Sequence, residues 1–144
     1  MKILQLHVDY VEYEPIKPES AIYEETEKKP RRIEEALLLL TCVEKGDTVE
    51  VAEEAVGEAS KLMRDLRIPR MVIYPYAHLS TELAAPSDAL KILKAMRRKA
   101  EDLGLEVYSA PFGWNKRLVI SVKGLSLIHI SEPTRPLYIS YAVF

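Results

Sequence analysis

The chain has 144 residues, of which 48% are hydrophobic and 29% charged, a balance typical of one globular domain. Its 20 Lys and Arg residues against 22 Asp and Glu residues exclude a uniformly basic surface that grips long stretches of nucleic acid. A single cysteine, Cys42, excludes an internal disulfide and a Cys-rich zinc site, so we expect a cytoplasmic protein. No stretch has the apolar character of a signal peptide or a membrane span.

The first half of the chain predicts two strands joined by a surface segment. Residues 2–13 alternate between apolar and polar side chains, the period-two pattern of a half-buried strand. Residues 34–43 are apolar at both parities, which predicts a central strand covered on two faces. Between them, residues 14–32 are rich in Glu, Lys and Pro and predict a surface excursion with a short hairpin and a mobile tip.

Two amphipathic helices are predicted next. Asp47 and Glu50 form a capping box before a run of apolar residues spaced by three and four, and this helix ends before Pro69. Ser87 is predicted to cap the second helix, and Gly104 to take the left-handed conformation beyond its end. The polar side of the second helix is basic, which indicates either a solvated face or an RNA-binding face.

Three further strand candidates interleave with the helices. They cover residues 71–74, 105–110 and 117–122, the last two separated by the turn PFGWNK. The order of elements predicts a single α/β domain with a mixed sheet and two principal helices. Residues 125–144 show neither a capped helix nor a well-bounded strand.

Two loops at strand ends concentrate polar groups, YPYAHLSTELAAPS at 74–87 and APFGWNK at 110–116. His78 with the hydroxyls and carboxylate that follow it suits nucleophilic or acid–base catalysis. The alternatives are a loop histidine bonded to backbone, and helix capping for Ser80, Thr81 and Ser87.

The second loop offers a cation beside aromatic rings. The ammonium group of Lys116 could face a cleft where negative charge develops, or could simply be solvated. Phe112 and Trp114 could stack on a terminal adenine or pack in the core. Gly113 indicates a backbone turn or a close approach to a ligand. His7 with Asp9 resembles a fragment of a metal site, but no third ligand follows from the sequence, so no metal is predicted.

Several blocks together resemble a known family. They are KILQLHVDYVEYE at the start, ALLLLTCVEKGD, VIYPYAHLSTELAAPSDALKIL, APFGWNK, and a strand ending in SVKG. In this order and spacing, over residues 1–124, they are similar to the editing domain of archaeal-type threonyl-tRNA synthetases.

The resemblance implies a fold similar to that of D-aminoacyl-tRNA deacylases, a homodimer, and no cofactor. It implies hydrolysis of L-serine from tRNA specific for threonine, with D-aminoacyl-tRNA as a further substrate. Such a second sieve is needed because one methyl group gives a synthetic site only about 1–3 kcal/mol of discrimination. The module would hold the tRNA acceptor end while the remaining synthetase domains grip the rest of the tRNA.

The resemblance also assigns site residues. Lys116 would hold the attacking water or stabilise the oxyanion, His78 would orient the substrate, and a ribose hydroxyl of the terminal adenosine would assist in activating water. The substrate pocket would be built largely from main chain, at Pro75, Tyr76, Ala77, Pro111, Phe112, Gly113 and Asn115.

The sequence departs from the family at two places. Asn115 stands where an aromatic residue is frequent, and after Gly124 the family motif HPLAELSR, which supplies a glutamate near the site, is replaced. We therefore hypothesise that residues 1–124 form the editing domain and that residues 125–144 are a foreign tail, from truncation or out-of-frame read-through. Two alternative functions stay open: a non-catalytic tRNA-binding or dimerisation module, and a stand-alone D-aminoacyl-tRNA deacylase.

Overall fold

The computed structural model describes residues 1–124 and the backbone of two strands at 127–131 and 140–143. Seven strands form one mixed sheet, and two α-helices connect its parallel strands. The predicted fold class, a single α/β domain with a mixed sheet and two principal helices, is confirmed. No helix among the described residues is long and apolar enough to cross a membrane. The elements are β1 (Lys2–Pro18), β2 (Arg31–Cys42), α1 (Val49–Leu66), β3 (Arg70–Pro75), α2 (Pro86–Asp102), β4 (Glu106–Ser109), β5 (Trp114–Val122), β6 (Leu127–Ser131) and β7 (Ser140–Val143).

Strand β2 lies inside the sheet, antiparallel to β1 and parallel to β3, which in turn runs parallel to β4. Side chains alternate between two buried layers: Leu37 and Leu39 pack with the helices, whereas Leu38 and Leu40 pack on the opposite face. Both faces are covered, which confirms the prediction of a central strand from an uninterrupted apolar run.

Strand β1 extends to Pro18, five residues beyond its predicted end, because residues 8–18 pair with β5 on the side away from β2. The register shifts between Pro15 and Lys17, where proline offers no N–H to the ladder. The same pairing starts β5 at Trp114 instead of residue 117. Asn115 and Lys116 therefore lie on a strand, and their predicted position in a turn is wrong.

Both predicted helix caps are wrong. Thr48, not Asp47, caps α1 by accepting a hydrogen bond from the N–H of Val51, while the Asp47 carboxylate accepts from the N–H of Glu44. Helix α2 begins at Pro86 after an Ala85 cap that makes no side-chain bond, since proline at the first position needs no N–H partner. Gly104 has a φ of 77°, which confirms its left-handed conformation.

The final segment contains strands that its sequence pattern did not predict. Strand β6 pairs antiparallel with residues 3–6 of β1, and β7 pairs with β6. The N-terminal half of β1 has an edge that β5 does not cover, and a chain with few charges can add to such an edge through backbone bonds alone.

Candidate active site

A cavity of about 450 Å³ opens where β2, β3 and β5 come together. We call it the strand-end cavity. The turn that follows β3 forms one wall and the turn that precedes β5 forms another, so Ala77 and Lys116 share one hollow. Of the nine predicted site residues, eight line it: Pro75, Tyr76, Ala77, His78, Phe112, Gly113, Asn115 and Lys116.

Lys116 is held in place by main-chain oxygens. Its Nζ donates hydrogen bonds to the carbonyls of Pro111 at 2.8 Å and Trp114 at 3.1 Å, and lies 5.0 Å from the ring centroid of Tyr74. Pro111, the ninth predicted residue, therefore contributes its carbonyl oxygen to holding Lys116. Pro111 also lines a neighbouring cavity. Burial lowers the pKa of Lys116 to about 8, and the nearby carboxylates of Glu19 and Glu24 oppose that shift.

An ammonium group has three donors, and Lys116 uses two of them on carbonyls. One donor is left for an atom inside the strand-end cavity. With a pKa near 8, the side chain is mainly a cation at pH 7 and can stabilise a developing oxyanion or hold a water molecule.

The turn after β3 is fixed to the end of β2. The N–H of Tyr76 donates to the carbonyl oxygen of Thr41 at 2.8 Å, and the Cys42 thiol lies 3.8 Å from the Ala77 carbonyl. His78 is exposed on a short 3-10 helix, Ala77–Leu79. Its ring packs edge-to-face with that of Tyr76, and the two ring centroids are 5.2 Å apart. Its imidazole stands at the mouth of the cavity, where it can contact a bound ligand.

The segment between β1 and β2 folds over the turn that precedes β5. The N–H groups of Glu19 and Ser20 donate to the Gly113 carbonyl at 2.8 and 3.2 Å, and that of Glu24 donates to the Phe112 carbonyl at 3.0 Å. In return, the N–H of Phe112 donates to the Glu24 carboxylate at 3.0 Å. These long-range bonds fasten residues 19–24 of the segment to the turn that precedes β5.

Gly113 has a φ of 83°, and a Cβ atom there would lie 2.5 Å from the carbonyl oxygen of Ile22. The sequence predicted either a turn or a close approach to a ligand at Gly113. The close approach is to the protein's own backbone at Ile22. Trp114 donates its indole N–H to the Glu24 carbonyl at 2.7 Å and packs edge-on against Tyr23. Phe112 contacts the helix-side core, which supports the packing alternative for this ring.

Several residues that line the cavity were missed from the sequence. Thr41 and Cys42, both almost fully buried, come from the end of β2, and Tyr74 comes from β3. Glu19 and Ser20 come from the segment predicted to be a surface excursion. Only the parallel pairing of β2 with β3 could have located Thr41, since Thr41 is the register partner of Pro75.

Other sequence candidates lie away from the cavity. Asp9 forms an ion pair with Lys123 at 2.6 Å, and no group of three or more metal-ligating side chains occurs in the part of the chain that the structure describes. Ser80 donates to the Glu44 carboxylate at 2.6 Å and accepts from the Glu82 N–H, a structural role. Thr81 and Ser87 are exposed.

The architecture is that of a known fold. The solved structure of a c-Myc DNA unwinding element binding protein superposes with a TM-score of 0.66 at 12% sequence identity, covering 86% of this chain and 93% of that one. At this identity the likeness establishes the fold alone. It is the D-aminoacyl-tRNA deacylase-like fold implied by the sequence blocks.

The sequence then identifies the family. Residues 1–133 match the archaea-specific editing domain of threonyl-tRNA synthetase, and the chain belongs to this family. Threonine–tRNA ligases of Nitrosopumilus maritimus and Cenarchaeum symbiosum are 41% and 46% identical to it over 133 and 124 residues, 92% and 86% of this chain. The matches cover 21% and 20% of those two proteins, so the chain spans about a fifth of their length.

Proposed function

We propose that this domain hydrolyses the ester bond of mischarged tRNA, chiefly L-seryl-tRNA specific for threonine, as the editing part of a threonyl-tRNA synthetase. One observation carries the proposal: the Lys116 ammonium group is fixed by two carbonyls inside a cavity that also contains the turn from Pro75 to His78. A fixed cation in a partly desolvated hollow suits a reaction that develops negative charge on oxygen.

The reaction requires few protein side chains. Water adds to the ester carbonyl, the tetrahedral oxyanion accepts a hydrogen bond from Lys116, and the bond to the ribose oxygen then breaks. The departing ribose oxygen takes the proton that the water has lost, and the neighbouring ribose hydroxyl assists this transfer. His78 orients the terminal adenosine at the mouth of the cavity. Serine and the released tRNA are the products.

Selectivity for serine would come from rigid walls. Rejecting one additional methyl group requires a pocket that cannot expand. Main-chain atoms are displaced less easily than side chains, so a pocket built from them stays narrow. The hydrogen bonds from Tyr76 to Thr41 and from the 19–24 segment to Gly113 and Phe112 fasten both turns. D-aminoacyl esters that project the same small group are further substrates.

We also propose the setting of the domain. The net charge of −2 suits a module that binds only the acceptor end of tRNA, while the other synthetase domains hold the rest. The chain would act as a homodimer in the cytoplasm. Residues 125–144 would be a foreign tail, and the loss of the family glutamate that they replace would lower the rate of this chain. Sequencing the gene beyond codon 124 tests that point.

The test is deacylation of purified tRNA. The chain is expected to release serine from seryl-tRNA specific for threonine and to leave threonyl-tRNA intact. Lys116→Met is expected to lose most of the rate, about 10²-fold or more, whereas Lys61→Met on the exposed surface of α1 retains it. Binding of the acceptor end without turnover would show a docking module instead. Equal activity on D-aminoacyl esters of every tRNA would show a stand-alone deacylase.

A further inference from the structure

The two helices differ in the charge that they expose. Helix α2 borders the strand-end cavity through Pro86, Ala89 and Leu93, whereas no residue of α1 lines it. The charged residues of α1 are mainly acidic: Glu50, Glu53, Glu54, Glu58 and Asp65, with Lys61 and Arg64. Those of α2 are mainly basic: Lys91, Lys94, Arg97, Arg98 and Lys99, with Asp88, Glu101 and Asp102. Positive charge is therefore concentrated on the helix beside the cavity.

The cations on α2 are largely available to an external anion. Among the residues that the structure describes, Lys91, Lys94 and Arg98 form no ion pair, and all three are exposed. Arg97 is paired with Glu101 only at 3.8 Å, and such an exposed pair contributes little. Positions 91, 94 and 98 follow helical spacing, so these side chains form one row about 10 Å long.

A second hollow of about 180 Å³, the α2 cavity, adjoins the first. Pro75 and Leu93 line both cavities and so form their common wall. Lys94 and Arg97 stand at the α2 cavity, and so does Ser109, whose buried hydroxyl has no hydrogen-bond partner among the described residues. An unpaired buried hydroxyl is rare in folded proteins and can donate to an entering acceptor.

Two carboxylates also border the α2 cavity. Glu24 accepts a hydrogen bond from the Phe112 N–H at 3.0 Å, which directs one of its oxygens toward that backbone. Glu25 is exposed, as are Lys94 and Arg97, so solvent screens all three charges. Lys94 and Arg97 come from α2 and the two carboxylates from the segment between β1 and β2, so the positive charge of this cavity lies on its α2 side.

We propose that Lys94 and Arg97, together with the Ser109 hydroxyl, bind the phosphate groups of the RNA strand that precedes the terminal adenosine. The proposal rests on the proposed function, which places that adenosine in the strand-end cavity. In this proposal the next phosphates leave across the wall formed by Pro75 and Leu93, and Lys94 and Arg97 line the α2 cavity on its far side. Lys91 and Arg98 extend the same row.

The experiment compares two substrates that differ only in the RNA strand: seryl-tRNA and seryl-adenosine, which has no phosphates. The variant is Lys94→Glu with Arg97→Glu. Its matched control is Lys61→Glu with Arg64→Glu, an exposed Lys and Arg pair at the same spacing on α1. The variant is expected to raise KM for seryl-tRNA about tenfold. The slope of log kcat/KM against log salt concentration is expected to become less steep, by the amount that about two phosphate contacts contribute. Hydrolysis of seryl-adenosine stays within about twofold, because its binding involves no phosphate.

If KM for seryl-tRNA and its salt dependence are both unchanged in the variant, the proposed phosphate-binding surface is overturned. An equal loss in the α1 control also overturns it, since that outcome indicates only net charge. If the unaltered chain hydrolyses neither substrate, the proposed function fails. Fluorescence anisotropy with an oligonucleotide of acceptor-end sequence then tests the phosphate-binding surface separately. Equal Kd values for the chain and the variant overturn it, and a rise of about tenfold supports it. Lys94→Gln with Arg97→Gln replaces the variant if charge reversal prevents folding.

Discussion

The Nζ atom of Lys116 lies 5.0 Å from the ring centroid of Tyr74, a side chain only 4% exposed. The cation faces the ring on one side and two carbonyl oxygens on others, those of Pro111 and Trp114. A cation over an aromatic face gains about 0.5 to 2 kcal/mol, more when it is desolvated. Tyr74 is therefore a positioning residue for Lys116, and it also stabilises the charged form.

This relationship predicts different results for two substitutions. Tyr74→Leu is expected to lower the pKa of Lys116 further, by up to about one unit, because the cation loses the ring. Tyr74→Phe keeps the ring face and is expected to change that pKa by only a few tenths. NMR titration of the labelled lysine side chain measures both. An equal shift in the two variants would assign the effect to the hydroxyl and contradict the cation contact.

The pH dependence of stability is the second prediction. Lys116 has a pKa of about 8 in the folded chain against 10.5 for an ordinary lysine, so the unfolded chain binds more protons between these values. The free energy of unfolding, compared with that of Lys116→Met, should therefore rise from pH 8 to 10.5 by about 1 to 3 kcal/mol. Urea unfolding at several pH values measures it. Lys61→Met should keep the pH profile of the unaltered chain, and a falling difference would contradict the prediction.

A methyl group at Gly113 is expected to destabilise the domain. Gly113→Ala forces a side chain into a left-handed conformation and places its Cβ 2.5 Å from the Ile22 oxygen, for a loss of about 2 to 4 kcal/mol. Gly57→Ala is the control, since it lies within α1 with nothing within 4 Å of its Cβ position. That control should gain about 0.5 to 1 kcal/mol from helix propensity. Denaturant midpoints compare the two, and a neutral Gly113→Ala would show that the segment over it can move.

Removal of the Glu24 carboxylate is expected to loosen the same segment. Glu24→Ala leaves the N–H of Phe112 without its acceptor, at a cost of about 1 to 3 kcal/mol in local stability. Faster hydrogen exchange at Phe112 and residues 19–24 is the measured result. Glu25→Ala changes the neighbouring exposed carboxylate and should leave exchange unchanged. Equal exchange in both variants would mean that backbone bonds alone hold the segment.

The sequence by itself determined the elements whose signals are local. Alternation in β1, the apolar run of β2 and the spacing of apolar residues in both helices follow from which faces must be buried, so their existence was predictable. The family blocks also placed candidate residues in two turns, and the structure brings eight of those nine to one cavity. Periodicity is a property of consecutive residues, which is why it can be read without coordinates.

Only the tertiary structure decided what depends on residues far apart in sequence. The pairing of β1 with β5 put Asn115 and Lys116 on a strand, and a contact with Glu44 took Asp47 away from the predicted cap. Hydrogen bonds to Phe112 and Gly113 fastened part of a polar segment that the sequence predicted only as a surface excursion. Burial of Lys116 among carbonyls and an aromatic ring likewise requires the folded chain, because desolvation is set by neighbours in space.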